Sequence, residues 1–170
     1  MDKITILGLT ASGKTTLANK LGEILNIPVT HLDQIFWKEE GGLKQDAFVS
    51  ELSNVMKNDK WIIEGSMPRS KTLDLRLSEA DTIILFDLPL LLVFWRQIKR
   101  FFKYFNKVRP DMGGENKQKY PITWNEFKYA INYPIKDLRV RVLEKSTTKK
   151  VFIIKSLKDE VVILDWVNEK

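Results

Sequence analysis

The eight residues from Gly8 to Thr15 constrain this chain more than any other part of its sequence. They read Gly-Leu-Thr-Ala-Ser-Gly-Lys-Thr and directly follow a strand-like segment at residues 4–7. This run fits the pattern GxxxxGK[ST], in which glycines allow a tight turn whose backbone N–H groups surround phosphate oxygens. The next segment has apolar residues at helical spacing, Leu17, Leu21, Ile24 and Leu25. This context favours a phosphate-binding loop over an ordinary glycine turn before a helix.

The loop predicts how a nucleoside triphosphate would be held. Lys14 would reach the β and γ phosphates, and the Thr15 hydroxyl would ligate the Mg²⁺ that bridges them. We expect the nucleotide to be bound by Gly8, Ala11, Ser12, Gly13, Lys14, Thr15 and Thr16. Thr15 is also a predicted metal ligand.

Composition limits the remaining possibilities. The 170 residues are 44% hydrophobic, which is ordinary for one globular domain, so we expect a single domain over residues 1–170. The chain has no cysteine, which excludes disulfides and thiolate metal sites. The longest apolar stretch is too short to span a bilayer, and the N-terminus does not read as a signal peptide. We therefore expect a cytoplasmic protein with no membrane partner.

Strand-like and helix-like segments alternate along the chain. Strands are predicted at residues 4–7, 29–31, 61–64, 82–87 and 151–155, and helices at 14–25, 44–57, 70–79, 89–105, 123–145 with a disturbance at Pro134, and 158–167. Residues 156–159 resemble a capping box at the start of the last helix. The alternation is typical of a parallel sheet covered on both faces, so we predict a three-layer α/β/α fold.

Polar residues at the ends of two predicted strands are candidates for the site, because ligands of such folds bind at the carboxyl ends of the strands. Asp33 follows the second strand, and Glu64 and Arg69 follow the third. The carboxylates could organise Mg²⁺ or accept a proton, and the arginine could clamp an anion. The alternative is that these residues are polar because they meet solvent. His31 is predicted to be structural, and Asp87 is not assigned to a metal.

The helix that begins near Pro89 has two predicted faces. A basic stripe consists of Arg96, Lys99, Arg100, Lys103 and Lys107, and an apolar stripe of Phe94, Ile98, Phe101, Phe102 and Phe105. The apolar stripe is expected to face the core. The basic stripe could be a solvated face, a nucleic-acid or membrane surface, or part of a lid that folds over phosphates. The adjoining residues 106–121, with Arg109 and two glycines, favour a lid, which we place at about residues 101–122.

Several segments taken together resemble the bacterial topology modulation protein family, which is related to adenylate kinases. These segments are residues 31–37, 61–65, 73–84, 87–89, 95–96 and 109–112, and the resemblance covers nearly all of the chain. It implies a five-stranded parallel sheet in the order 2-3-1-4-5, with ATP at the loop, an acceptor site beside strands two and three, and a short lid. By similarity to adenylate kinases, Arg96 would stack on adenine, Arg100 would contact phosphate and Arg69 would clamp a phosphate.

The sequence thus predicts an ATP-dependent phosphotransferase that acts on an unidentified small molecule, with ATP and Mg²⁺ as cofactors. Lys14, Asp33, Arg100 and Arg109 are the expected catalytic residues, Thr15 and Glu64 the expected metal site, and Asp33, Glu64, Arg69 and Arg76 the expected acceptor site. A hydroxyl acceptor would use Asp33 as base, whereas a phosphate acceptor would use Arg69 and Arg76. The alternative is a nucleotide-binding regulator that acts on DNA. The chain is expected to be a monomer or a homodimer.

Overall fold

The strands form one parallel sheet in the order β2-β3-β1-β4-β5. We describe residues 1–37, 43–68, 70–104 and 124–168 of a computed structural model. The strands are β1 (Lys3–Gly8), β2 (Val29–His31), β3 (Trp61–Glu64), β4 (Thr82–Phe86) and β5 (Lys150–Ile154). All five predicted strands and the strand order 2-3-1-4-5 are confirmed, with boundaries within one residue of the prediction.

Eight helices are present in the described ranges. They are α1 (Lys14–Leu25), α2 (Leu32–Phe36), α3 (Gln45–Met56), α4 (Thr72–Glu79), α5 (Leu90–Tyr104), α6 (Trp124–Ile131), α7 (Ile135–Leu143) and α8 (Leu157–Asn168). The short α2 was not predicted, because five residues are too few to show a helical period. The helix predicted over residues 123–145 was expected to be disturbed at Pro134, and this disturbance is confirmed as a complete break. It is divided into α6 and α7 at Pro134, which has no N–H to donate to a continuous helix.

The central strands form the core because both faces of the sheet are covered. Strands β1, β3 and β4 are almost entirely buried, which explains their continuous apolar sequences. Helix α1 contacts α8 on one face, whereas α4 packs on β1 and α7 on β4. Right-handed crossovers place α4 and α7 on the face opposite α1. In the described part of the chain, no helix is long and apolar enough to cross a membrane.

The start of α8 has one of the two bonds of the predicted capping box, from the Ser156 N–H to the Asp159 carboxylate. Asp159 Oδ2 accepts the backbone N–H groups of Lys155 at 2.8 Å and of Ser156 at 2.9 Å. These bonds satisfy amide groups that have no partner within the helix. They lower the pKa of Asp159, with the bond from Lys155 as the largest cause.

The predicted apolar stripe of α5 was wrong in part. Ile98 is 36% exposed and Phe102 is 73% exposed, whereas Val93 and Gln97 are buried. Phe94 is partly buried against the core, as predicted, whereas Phe105 and the side chain of Phe101 lie outside the described part of the chain. Among the described residues of the stripe, Ile98 and Phe102 therefore do not face the core.

Gly22 of α1 offers a test of the packing between α1 and β2. A Cβ at this position would lie 2.5 Å from Val29 Cγ2 and 3.0 Å from the Ile27 carbonyl oxygen. In an open helix, alanine stabilises by about 0.5–1 kcal/mol relative to glycine. Here we expect Gly22→Ala to lower the free energy of unfolding by about 1–3 kcal/mol, the usual cost of overpacking. Urea denaturation measures this change.

The matched control is Asn19→Ala, an exposed position of the same helix. This variant should be neutral or slightly more stable, because alanine has the higher helix propensity. A Gly22→Ala variant as stable as Asn19→Ala would contradict the close contact.

Candidate functional site

The loop between β1 and α1 begins with a glycine that no other residue replaces without strain. Gly8 has a φ of 136°, and a Cβ there would lie 2.6 Å from the backbone oxygen of Phe86 in the neighbouring strand. The backbone then turns back over the end of β1, with the Ser12 N–H donating to the Leu9 carbonyl at 3.3 Å. Helix α1 starts directly afterwards at Lys14. The structure thus has the strand, turn and helix that a phosphate-binding loop requires.

Lys14 lies inside this turn, where four charged groups act on one another. Its ammonium donates to the Leu9 carbonyl at 2.9 Å, and the residue is only 8% exposed. Burial lowers the pKa of Lys14, while Glu64 and then Asp33 raise it and Arg100 lowers it. Glu64, Asp33 and Arg100, all predicted for the site, therefore lie within electrostatic reach of Lys14.

Glu64 joins the end of β3 to the start of α1. Its Oε2 accepts a hydrogen bond from Thr15 Oγ1 at 3.3 Å and lies 3.0 Å from His31 Nδ1. Its Oε1 is 3.8 Å from the Lys14 ammonium. Burial alone would raise the pKa of Glu64, but the bond with His31 and the charge of Lys14 outweigh burial and lower it. Glu64 is therefore ionised at neutral pH, and His31 serves as its hydrogen-bond partner.

The same cluster has the donors that a magnesium ion prefers. Thr15 Oγ1 and the Glu64 carboxylate are oxygen groups 3.3 Å apart at the first turn of α1. Mg²⁺ is usually held by one or two such protein groups together with phosphate oxygens and water. These residues therefore fit the ion predicted with the nucleotide.

Helix α5 places two arginines over the loop. Arg96 Nη1 donates to the Ser12 carbonyl, and Arg100 Nη2 donates to Thr10 Oγ1 at 3.1 Å. Arg96 and Arg100 follow the buried Val93 by three and seven residues, which puts all three on one side of the helix. Two cations of the predicted basic stripe thus contact the loop, while Lys99 lies over the Trp95 ring. Lys107 and Arg109 lie outside the described residues.

Arg76 has a different environment from the one expected for an acceptor-binding residue. It is fully buried, and its Nη1 and Nη2 donate to the carbonyls of Gly65 at 2.6 Å and Ser66 at 2.9 Å. Burial lowers its pKa to about 10, so it remains charged at neutral pH. This geometry favours a role in holding the loop after β3 over direct contact with an acceptor. Arg69 lies outside the described residues, and Asp33 is exposed on α2.

Two residues of the site had no signal in the sequence. Ser66 accepts the Gly8 N–H at 3.2 Å, and its hydroxyl is hydrogen-bonded to that of Tyr133. Tyr133 is 67 residues away along the chain, so no local pattern joins the two. Asp87, which directly follows β4, forms an ion pair with Arg139 of α7.

Comparison with solved structures identifies the fold. A shikimate kinase from Bacteroides thetaiotaomicron superposes with a TM-score of 0.55 at 16% identity, covering 98% of this chain and 96% of that one. A gluconokinase from Sinorhizobium meliloti 1021 superposes with a TM-score of 0.52 at 10% identity, covering 99% of this chain and 94% of that one. The chain thus has the P-loop fold of small-molecule kinases.

No protein-family model and no curated protein sequence matches the chain. The resemblance to topology modulation proteins therefore stays a prediction.

The charge of Glu64 can be tested through the pH dependence of nucleotide binding. Its carboxylate raises the pKa of Lys14, so Glu64→Gln should lower that pKa further. Lys14 would then lose its proton at a lower pH, and affinity for a triphosphate would fall earlier as pH rises. Calorimetry with a non-hydrolysable ATP analogue between about pH 7 and 10 measures this shift.

Glu79→Gln, at an exposed position of α4, removes the same charge away from the loop and should leave the profile unchanged. If affinity for the ATP analogue falls with rising pH in the same way in Glu64→Gln and in the unmodified protein, Glu64 does not raise the pKa of Lys14.

Proposed function

We propose that this chain is an ATP-dependent phosphotransferase that transfers the γ-phosphoryl group of ATP to a hydroxyl group of a small molecule. The observation that carries the proposal is the convergence of Lys14, Thr15 and Glu64 at the start of α1. Thr15 and Lys14 lie 3.3 Å and 3.8 Å from the Glu64 carboxylate. The fold of small-molecule kinases supports it, and so do the two arginines that α5 places over the loop.

Each residue of the site has a role that follows from its position. The loop amides and Lys14 bind the β and γ phosphates, and Arg100 adds positive charge where the transferring group becomes more negative. Arg96 contacts the loop from the same side and is assigned to the nucleotide. A bound Mg²⁺ would supply positive charge that offsets the charge of the phosphates. Thr15 and Glu64 are the residues that would hold it.

Asp33 is the proposed general base. It lies on α2, directly after β2, and its charge acts on Lys14. In the reaction, the acceptor hydroxyl oxygen forms a bond to the γ phosphorus, and the bond from that phosphorus to the β–γ bridging oxygen breaks. The hydroxyl proton passes to Asp33, and ADP is the leaving group.

A hydroxyl acceptor is favoured over a phosphate acceptor by the environment of Arg76. A phosphate would be bound by Arg69 and Arg76, but the Arg76 guanidinium already donates to Thr72, Gly65 and Ser66 carbonyls. The nearby described groups on the acceptor side are the carboxylates of Asp33 and Glu64, which would repel a phosphate. The predicted role of Arg109 and the alternative of a DNA-acting regulator stay predictions from the sequence.

The proposal predicts ATP-dependent turnover with a polyhydroxy or hydroxy-acid acceptor. ADP release in a coupled assay should respond to members of a panel of such metabolites, and nucleoside monophosphates should give no response. Lys14→Ala should lower the rate by at least about a hundredfold, the usual loss when one donor to a developing charge is removed. A rate that Lys14→Ala leaves unchanged would reject the proposal.

Asp33→Asn separates the chemical step from nucleotide binding. We expect kcat to fall by about a hundredfold or more, the contribution of a positioned base. Affinity for ADP should change by less than about threefold, because Asp33 is assigned to the acceptor side. Asp46→Asn, at an exposed position in the first turn of α3, is the matched control and should be active. Equal activity of both variants would contradict the base assignment.

A further inference from the structure

Three separate parts of the chain meet at a pair of hydroxyl groups beside the site. Ser66 belongs to the loop between β3 and α4, and Tyr133, which is 6% exposed, lies between α6 and α7. Their side-chain oxygens are hydrogen-bonded to each other. The Gly8 N–H donates to the same Ser66 oxygen at 3.2 Å. The loop after Glu64, the start of the phosphate loop and the turn before α7 thus share one polar contact.

The backbone hydrogen bonds explain why the Gly8 N–H needs a side-chain acceptor. Ile6 is paired with Glu64, and the Gly65 N–H donates to the Ile6 carbonyl at 3.2 Å. If this parallel ladder continued, the next N–H of β1, that of Gly8, would donate to the Gly65 carbonyl. That carbonyl instead accepts Arg76 Nη1 at 2.6 Å. Ser66 Oγ takes its place as the acceptor for Gly8.

This replacement allows the chain to leave the sheet directly after Glu64. Gly65 has a φ of 134°, and a Cβ there would lie 2.7 Å from Leu32 Cβ, so the loop turns sharply beside α2. Arg76 holds the carbonyls of Gly65 and Ser66, and Tyr133 holds the Ser66 side chain. Burial raises the pKa of Tyr133, so its hydroxyl stays protonated at neutral pH.

We propose that Tyr133 is a positioning residue of the site. Through Ser66, its hydroxyl holds the backbone after Glu64 against Gly8 and so keeps the Glu64 carboxylate beside Thr15 and Lys14. Without this hydroxyl, Ser66 is free to turn away from Gly8. The consequence for Mg²⁺ binding rests on the proposed function, whereas the contact with Gly8 does not.

The contact is tested by the hydrogen-exchange rate of the Gly8 amide, measured by NMR. Tyr133→Phe keeps the ring and removes only the hydroxyl, and Ser66→Ala removes the acceptor. Each should raise the exchange rate about tenfold, as expected for the loss of one hydrogen bond, and the double variant, which removes both hydroxyls beside the Gly8 N–H, should exchange at least as fast as either single variant. Ser66→Thr keeps a hydroxyl and should stay within about twofold of the unmodified protein.

Tyr129→Phe is the matched control, because the Tyr129 ring packs edge-on against Tyr133 at 5.8 Å and is 45% exposed. Its Gly8 exchange rate should be unchanged. An unchanged rate in Tyr133→Phe, or an equal increase in Tyr129→Phe, would overturn the proposal.

The positioning role is tested by calorimetry of ADP with and without Mg²⁺. Tyr133→Phe should reduce the gain in affinity that Mg²⁺ gives, while affinity for ADP alone stays within about twofold, because the loop amides are retained. Equal weakening of both affinities would show a general loss of structure and would overturn the positioning role. Faster Gly8 exchange with an unchanged effect of Mg²⁺ would overturn the positioning role. Absence of ADP binding by the unmodified protein would instead overturn the proposed function, and the exchange rates would still decide the contact.

Discussion

A carboxylate that is buried and still charged, that of Glu64, holds the candidate site together. Burial opposes the ionisation of Glu64, but His31, Lys14 and Thr15 compensate for it and lower its pKa. Breaking one side of a buried ion pair usually costs more than the pair contributes, because the other charge is then left uncompensated. The end of β3 is therefore tied to the start of α1, and the ends of β1 and β3 stay in register.

Several contacts that do not face a ligand maintain this cluster. Gly65 turns the chain out of the sheet. Arg76 donates hydrogen bonds to the carbonyl groups that have left the sheet at this turn. The Gly8 N–H donates to Ser66, whose hydroxyl is held by Tyr133. Arg76 is fully buried, and burying its charged guanidinium costs free energy. Hydrogen bonds to three backbone carbonyls offset this desolvation cost. These contacts thus hold together a site that is assembled from four segments of the chain.

Helix α5 both packs on the core and places two arginines on the phosphate loop, and the same side of the helix does both. Its inner side includes Val93 in the core and Arg96 and Arg100 on the phosphate loop. Leu91, Trp95 and Phe102 lie on the opposite side and are exposed by 83%, 55% and 73%. Because the arginines take the side of the helix that faces the loop, Trp95 and Phe102 on the opposite side stay exposed. This constraint explains why Phe102 of the predicted apolar stripe does not face the core.

The elements that could be predicted from the amino-acid sequence are those that depend on local chemistry. The glycines, Lys14 and Thr15 of the loop, the buried strands and the first helix follow from spacing and periodicity, which act between neighbours along the chain. Glu64 and Asp33 were also predicted as site residues, because strands of a parallel sheet end at the same edge. The three-dimensional arrangement was needed to show that Arg76 binds the carbonyls of the loop after β3, that α5 turns Arg96 and Arg100 toward the phosphate loop, and that Ser66 contacts Tyr133. These contacts depend on which hydrogen-bond donors and acceptors have no partner after the strands have paired. A pattern of neighbouring residues in the sequence cannot predict this.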